Sequence, residues 1–405
     1  MDLIEIFLTI LSLIIAYLLG AILPAFLFGK LKGIDVREEG SKNPGTANAF
    51  RVLGLPYAIP TAIYDTLKGL LAILIAFSLE VNPIFMQICG IVAIVGHVFP
   101  FYLKFHGGEG NATATGLLLY YLVNYFSVSF EIFYIIIILL ILVGIFTYIS
   151  KSGSLLPAVL FPLLGYSVFV TYPTSIFNIF FVIVLAHIAT IGMYKVITEK
   201  KLVITDEEFL ARWWRVAIRP VALLFLAFYF IFSDVVAIIL IGVVCLCFIA
   251  LDVFRFISKQ TQELLTVRVK SIFRKGEEKK FSSMTIFLIS TFIIVLLFGQ
   301  LSIEIAITAL VFLTFGDIYS KVFGLAYGRH KLFEHKSLEG TLAYVGCVIT
   351  CSYIIYTITG ISLPVLIVGG VAATFSEFFP LGMNDNFTVP IISGAAMFVA
   401  LFFGL

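Results

Sequence analysis

The sequence predicts an all-α, polytopic membrane protein with about fourteen transmembrane helices in two seven-helix bundles. Three observations carry that expectation. Of 405 residues, 61% are hydrophobic and 12% charged, whereas a soluble domain is nearer half apolar and a quarter charged. The mean hydropathy is +1.12. When the apolar runs are threaded alternately, all 26 Lys and Arg fall at or near one face, which the positive-inside rule makes cytoplasmic. A net charge of +2 and short aqueous segments argue against a large soluble domain and against a nucleic-acid partner.

The first bundle consists of apolar runs at roughly 3–28, 57–79, 83–103, 111–126, 130–149, 155–172 and 174–195, several short enough to need burial against neighbours. The first run lacks a basic n-region and a small-residue cleavage site followed by polar sequence. It therefore reads as a retained first span, with the N-terminus outside, rather than a removed signal peptide. Residues 194–219, "YKVITEKKLVITDEEFLARWWRVAIR", mark the domain boundary, giving domains 1–200 and 201–405. This segment is charged and carries both tryptophans, which suits a linker helix lying on the membrane. The second set falls at roughly 216–232, 235–257, 283–299, 304–325, 341–358, 361–376 and 388–404, interrupted by an amphipathic stretch at 259–280. No close repeat relates the halves, which gives no support to an inverted-repeat transporter. Cys89, Cys245, Cys247, Cys347 and Cys351 all lie in apolar runs and read as packing residues, not disulfides or metal ligands.

Three polar clusters fall on the cytoplasmic side of the first half. "REEGSKNPGTANAFR" combines Gly40, Ser41, Asn43, Gly45, Thr46, Asn48 and Arg51: flexible backbone, hydroxyls, amides and a guanidinium that grips an anion through two hydrogen bonds. "YDTLKG" puts Asp65 and Lys68 on one helical face. "GHVFPFYLKFHGGEGNATATG" contains His97, Lys104, Gly107, Gly108 and Gly110, a glycine loop opening a helix, whose backbone N–H groups suit a phosphate. Singly, these are an ordinary turn, a surface ion pair and close helix packing. Together on one side of a membrane they point to chemistry at the interface.

The stretches "GSKNPGTANAFR", "DTLKG" and "GHVFPFYLKFHGGEGNAT" resemble the three loop motifs of the PlsY family, the bacterial acyl-phosphate:glycerol-3-phosphate acyltransferases, over about residues 1–200. The resemblance implies transfer of an acyl group from acyl-phosphate to glycerol 3-phosphate, giving lysophosphatidate. It implies a substrate pocket of Ser41, Asn43, Gly45, Asn48, Arg51, Lys68 and Lys104, a phosphate nest of Gly107, Gly108 and Gly110, and contacts from Ser150 and His187. Glu109, Thr190 and Met193 stand where the family has Lys, Asn and Arg, so two cations are lost and an acid is gained beside phosphorylated substrates. Glu109 reads as the mark of an altered donor, of a salt bridge to Lys68 or Lys104, or of a lost activity. Acyl-phosphate is already activated, so the protein mainly aligns substrates and stabilises oxyanion charge. His97 is the catalytic candidate, assisting deprotonation of the glycerol hydroxyl, unless the substrate's own phosphate takes the proton.

The second half contains "FGDIYSKVFGLAYGRHKLFEHKSLEGTLAYVG" and "SEFFPLGMNDNFTVP". Asp317 and Lys321 share a helical face. Arg329, Lys331, Lys336, Ser337, Glu339 and Gly340 form a basic, glycine-punctuated loop, and Glu377, Asp385 and Asn386 offer oxygens of the kind a hard Mg²⁺ prefers. A basic loop on anionic lipid beside an unrelated acidic loop is the plain explanation. Acids at span ends are costly without a role, which favours a site. No Walker A loop or protein-kinase motif set occurs. With Gly316, Ser320, Gly324, Gly328, Thr341 and Pro390, and with Asp252, Arg255, Arg274 and Glu277 upstream, this pattern resembles the CTP-dependent polyprenol kinase superfamily. That superfamily includes the dolichol, phytol and farnesol kinases and the yeast-type diacylglycerol kinase.

This second resemblance implies phosphorylation of a lipid alcohol by CTP, with Asp317 and Asp385 catalytic and Lys321, Arg329, Lys331, Lys336, Ser337, Glu339 and Gly340 on the nucleotide. Asp317, Glu377, Asp385 and Asn386 would hold Mg²⁺. The whole chain then reads as a bifunctional lipid-biosynthetic transferase of the cell membrane. The alternatives are a lipid kinase with a degenerate, non-catalytic acyltransferase-like half, and a non-catalytic lipid-phosphate transporter.

Overall fold

A computed structural model describes residues 2–128, 131–207, 209–210, 213–214, 219–257, 280–333 and 336–405. The protein is an all-α polytopic membrane protein with one small two-stranded hairpin. Among the described residues, nine helices are long and apolar enough to cross a membrane, and three shorter apolar helices accompany them. The chain divides into two compact units, Met1–Val143 with Ser152–Lys201, and Gly144–Lys151 with Leu202–Leu405. The amphipathic stretch expected at 259–280, and with it Arg274 and Glu277, lies almost wholly outside the described residues, as do Arg212 and Arg215.

The first unit begins with α1 (Leu3–Ala21), which Asp2 caps by accepting the Glu5 N–H at 2.8 Å. Thr9, Ser12, Ala16 and Gly20 are buried, while Leu3, Phe7, Ile10, Ile14 and Leu18 are exposed. Small and polar residues face inward because lipid solvates the large apolar ones as well as a core would. The expected single span to residue 28 is broken: α2 (Pro24–Leu31) starts anew. Pro24 has no N–H to give the Gly20 carbonyl, and it holds Leu23 in extended backbone at φ −115°, ψ 92°.

There follow α3 (Thr46–Leu53), α4 (Leu55–Ser78), α5 (Pro83–Val98) and a 3₁₀ turn at Phe101–Leu103. Then come α6 (Asn111–Val128), α7 (Glu131–Ser150), α8 (Leu156–Thr171) and α9 (Phe177–Thr198). α1 packs on α4 and α5, α6 on α4 and α9, and α8 on α9. The α1–α5 approach is backbone-close, since a Cβ on Gly96 would run into the Tyr17 carbonyl; this is the small-residue packing that membrane helices use.

The second unit contains a 3₁₀ turn at Arg219–Ala222, then α10 (Leu223–Ile231), α11 (Asp234–Ile257), α12 (Ser283–Leu297) and α13 (Ile303–Tyr327). A hairpin of β1 (Lys331–Phe333) and β2 (Lys336–Ser337) leads into α14 (Leu338–Thr359), α15 (Leu363–Phe378) and α16 (Asp385–Phe402). α13 packs on α14 and α16, α15 on α14 and α16, and α12 on α16. The polar ends of these helices gather the charges of the second motif.

Candidate active site

In the first unit, α4, α5 and the break after α1 meet at Lys68, which is fully buried with Asp65. Its Nζ donates to Gly20 O at 2.9 Å, Ile22 O at 3.1 Å and Asp65 Oδ1 at 2.9 Å. A fourth partner is His97 Nδ1, 2.6 Å away and itself 3.5 Å from Asp65 Oδ1. The Asp–Lys pair is thus an interior one, supplying the donor that Pro24 withholds from Gly20. His97 Nε2 faces Gly108, where a Cβ would collide with it. His97 therefore presents Nε2 to the site, held from behind by Lys68 and Asp65.

Gly107 and Gly108 also depart from expectation. Their N–H groups donate to Val98 O at 3.0 Å and His97 O at 3.1 Å, so they do not form an open phosphate nest. What the missing Cβ atoms allow is closeness: one on Gly107 would strike the His97 carbonyl and Pro100. Gly110, at φ +74°, then turns the chain in a conformation that glycine adopts without strain. The loop is strapped along the end of α5, delivering the N-terminus of α6 to His97. The first N–H groups of a helix lack intrahelical partners and favour an anion.

In this unit Asn43 Oδ1, Thr46 Oγ1, Asp65 Oδ2, Asn111 Oδ1 and Thr113 Oγ1 are buried without hydrogen-bond partners. Asn43 Oδ1 lies 3.2 Å from the place a Gly108 Cβ would occupy. Buried polar atoms are nearly always paired, so Asn43 Oδ1, beside Gly108 and His97 Nε2, marks a place for a ligand.

Glu109 turns away from the anion site. Its Oε2 accepts from Lys195 Nζ at 2.6 Å and Asn111 Nδ2 at 3.0 Å, while its carbonyl accepts from His187 Nε2 at 2.9 Å. Its partner is Lys195, not Lys68, which is held by its buried partners, nor Lys104, which is exposed. Lys195 escaped the sequence reading; the only signal was its spacing of two turns from His187 on α9.

Asn48 is buried and donates to Val36 O at 2.7 Å and Glu39 O at 3.0 Å while accepting the Ser41 N–H at 2.7 Å. Its whole amide shapes the loop, a correction to its expected contact with substrate. In that loop the Arg37 guanidinium, hydrogen-bonded to Asp35, holds the carboxyl below the usual carboxylate range. Gly45 caps α3, and Ser41 and Arg51 are exposed at the rim. Ser150 falls in the segment that packs with the second unit, donating to Phe146 O at 2.7 Å.

In the second unit Asp317 accepts from Lys321 at 2.6 Å and pairs with Arg219. Ser320 donates to Glu377 Oε1 at 2.9 Å, and Thr341 Oγ1 lies 3.5 Å from Oε2. Lys336 pairs with Asp385 at 3.0 Å and donates to the Glu377 carbonyl. Glu339 is buried and organises the loop, accepting from the Arg329 N–H at 3.0 Å and from His330 Nδ1 at 2.8 Å. Ser337 caps α14 by accepting the Gly340 N–H at 3.2 Å. Arg329 Nη2 donates to Tyr148 O at 2.8 Å and Ile149 O at 3.1 Å, satisfying carbonyls at the end of α7. Lys331 is exposed on β1.

As arranged, these side chains do not fit the Mg²⁺ that the resemblance implies. Asp317 and Asp385 are paired with cations, and Asn386 donates to Ser283 O at 3.0 Å. Among the described residues no three His, Cys, Asp or Glu side chains group as metal ligands. No step below runs through a metal.

A helix N-terminus, a positioned imidazole and unpaired buried polar atoms, set in a membrane scaffold, are features of an integral membrane protein with a site suited to an anion. Residues 10–197 match the family model described as glycerol-3-phosphate acyltransferase. The glycerol-3-phosphate acyltransferase of Streptococcus gordonii is 37% identical over 158 residues, 39% of this chain and 74% of that protein. That of Idiomarina loihiensis is 34% identical over 185 residues, 45% of this chain and 91% of that protein. The crystal structure of PlsY, an integral membrane glycerol 3-phosphate acyltransferase, in its glycerol 3-phosphate form is 29% identical. It covers 47% of this chain and 92% of its own, with a TM-score of 0.38. Through its first half, the chain belongs to the glycerol-3-phosphate acyltransferase family and is an acyltransferase.

Proposed function

We propose that the first domain, residues 1–200, transfers an acyl group from acyl-phosphate to glycerol 3-phosphate, giving lysophosphatidate and phosphate. The observation that carries this reading is the meeting of His97 Nε2 and the unpaired Asn43 Oδ1 at Gly108, just ahead of the α6 N-terminus. Substrate phosphate sits at the helix N-terminus, with Arg51 and Lys104 adding charge at the rim. The glycerol hydroxyl oxygen bonds to the acyl carbon, and the bond from that carbon to the bridging phosphate oxygen breaks. Phosphate leaves with the electron pair. In this reading His97 Nε2 carries the ring proton: the hydroxyl proton passes to a phosphate oxygen of the substrates while the N–H steadies the oxyanion.

The test is purified full chain in nanodiscs given palmitoyl phosphate and labelled glycerol 3-phosphate. Labelled lysophosphatidate is expected, with about a tenfold or greater loss in Asn43→Ala and Arg51→Ala, since each removes a phosphate contact. No product from the unaltered chain overturns the reading.

For the second domain, residues 201–405, the proposal is CTP-dependent phosphorylation of a lipid alcohol. Its support is the motif resemblance and the gathering of Arg219, Asp317, Lys321, Lys336, Glu377 and Asp385 from four helices or turns and the hairpin. Both sites face the cytoplasm in this reading, with the N-terminus outside. Labelled CTP with farnesol, phytol or dioctanoylglycerol should yield a lipid phosphate that Asp317→Asn abolishes. Lipid phosphate without lysophosphatidate identifies a degenerate first half. Movement of lipid phosphate across liposomes without any product identifies a transporter.

A further inference from the structure

Buried hydroxyls in the second unit commonly donate to a carbonyl one turn back, as Ser290, Thr291, Thr308 and Thr374 do. Four do not. Thr314 Oγ1, Tyr344 OH, Ser376 Oγ and Thr388 Oγ1 have no hydrogen-bond partner, although their residues are only 0%, 1%, 0% and 6% exposed. One comes from each of α13, α14, α15 and α16, helices that pack on one another.

Their positions share a pattern. Thr314 precedes Asp317 by one turn, Tyr344 follows Thr341 by one turn, Ser376 adjoins Glu377, and Thr388 follows Asp385 by one turn. Each hydroxyl is therefore set deeper along its helix than the residue that its helix contributes to the charged rim. Tyr344 belongs to an apolar cluster with Phe287, Leu313, Ala373 and Val389, Leu313 and Val389 adjoining Thr314 and Thr388 in sequence, and the Tyr344 ring lies so close on Gly316 that a Cβ there would collide with it. A buried hydroxyl left unpaired carries the full desolvation penalty of the group. Four of them on four neighbouring helices need a partner from outside the chain.

The chemistry of the four narrows that partner. They offer donors and acceptors but no charge, and an ionised head group would be costly against so apolar a surround. A neutral hydroxyl on an apolar chain satisfies both conditions. We propose that Thr314, Tyr344, Ser376 and Thr388 form the head-group site for a hydroxyl-bearing membrane lipid, one turn beneath the charged rim. Its use as the acceptor site rests on the phosphoryl-transfer reading above, which would find the lipid hydroxyl beside Glu377 and Asp317. The binding itself does not depend on that reading.

The experiment measures thermal unfolding of the purified full chain in nanodiscs titrated with farnesol, with 1,2-dioctanoylglycerol, and with farnesyl methyl ether, which cannot donate. Thr314→Val, Tyr344→Phe, Ser376→Ala and Thr388→Val each remove the hydroxyl while nearly keeping shape. Without lipid, each should melt at or above the temperature of the unaltered chain. One lipid hydroxyl makes at most three hydrogen bonds, so up to three of the four should bind the alcohol that stabilises the unaltered chain about tenfold more weakly, as expected for one lost hydrogen bond, and the ether should stabilise none of them. Unchanged affinity in all four, no stabilisation of the unaltered chain by either alcohol, or melting lowered in all four without lipid overturns the proposal. Weakened alcohol binding in a chain that forms no lipid phosphate from CTP overturns the phosphoryl-transfer reading and leaves the site standing.

Discussion

At position 109 a carboxylate stands in a loop that serves an anion, and its neighbours decide its effect. Because Lys195 is 2.6 Å away, Glu109→Lys would place two ammonium groups together, so substituting the family's Lys should raise KM for glycerol 3-phosphate. Lys195→Glu in that background should bring it back. The two side chains are 30% and 34% exposed, so screening limits the change to about two- to fivefold. Initial rates of the three chains decide it: a Glu109→Lys chain faster than the unaltered one would mean that the acid is simply a lost cation. His97 makes a second case. Without its N–H the oxyanion loses a donor, and His97→Ala should cut kcat about 10²- to 10³-fold. A donor that already holds its proton gives no loss of rate from pH 8 to pH 6, whereas a general base that titrates there does. The pH–rate profile of the unaltered chain separates these. Sequence exposed His97 and the acid but not their directions, because both were set by Lys68 and Lys195, which come from other helices.

Among the helices, the break between α1 and α2 and the buried Lys68 explain each other. Pro24 leaves the Gly20 carbonyl without a helical donor, and Lys68 takes its place. Lys68→Met would leave Asp65 charged and uncompensated in the interior, costing about 3–5 kcal/mol, whereas Asp65→Asn with Lys68→Met removes both charges and should cost less. Thermal unfolding followed with a thiol-reactive dye, for which the buried Cys89 is a reporter, checks the order; equal losses would place the pair outside the stabilising network. Glycine positions divide in the same way. Gly107→Ala drives a Cβ into the His97 carbonyl and should abolish acyl transfer, while Gly144 has nothing within 4 Å of a Cβ and Gly144→Ala should stabilise its helix by about 0.5–1 kcal/mol. The spans were legible because an uninterrupted apolar run of membrane length has few other readings. The break was not weighed, although Pro24 announced it, and the burial of Asp65 and Lys68 was illegible because i, i+3 spacing is the same on a surface and in a core.

Over the whole molecule, each unit holds its own set of buried polar atoms without partners, one at the end of α6 and one beneath the rim formed by α13 to α16. Two sites, each supplied from within its own unit, should be separable by substitution in the intact chain. Asn43→Ala should remove lysophosphatidate formation and leave CTP-dependent lipid phosphorylation unchanged, and Asp317→Asn should do the reverse. The chemistry argues the same way: lysophosphatidate already bears a phosphate, so it is not the alcohol that a kinase would consume. Saturating CTP should therefore leave the acylation rate within about twofold of its value without nucleotide, because a ligand with no differential affinity for the states of the other site shifts nothing. Both products are measured in one reaction with differently labelled substrates. Loss of both activities in either variant, with thermal unfolding unchanged, would mean that the two units share a step and that the chain works as one machine.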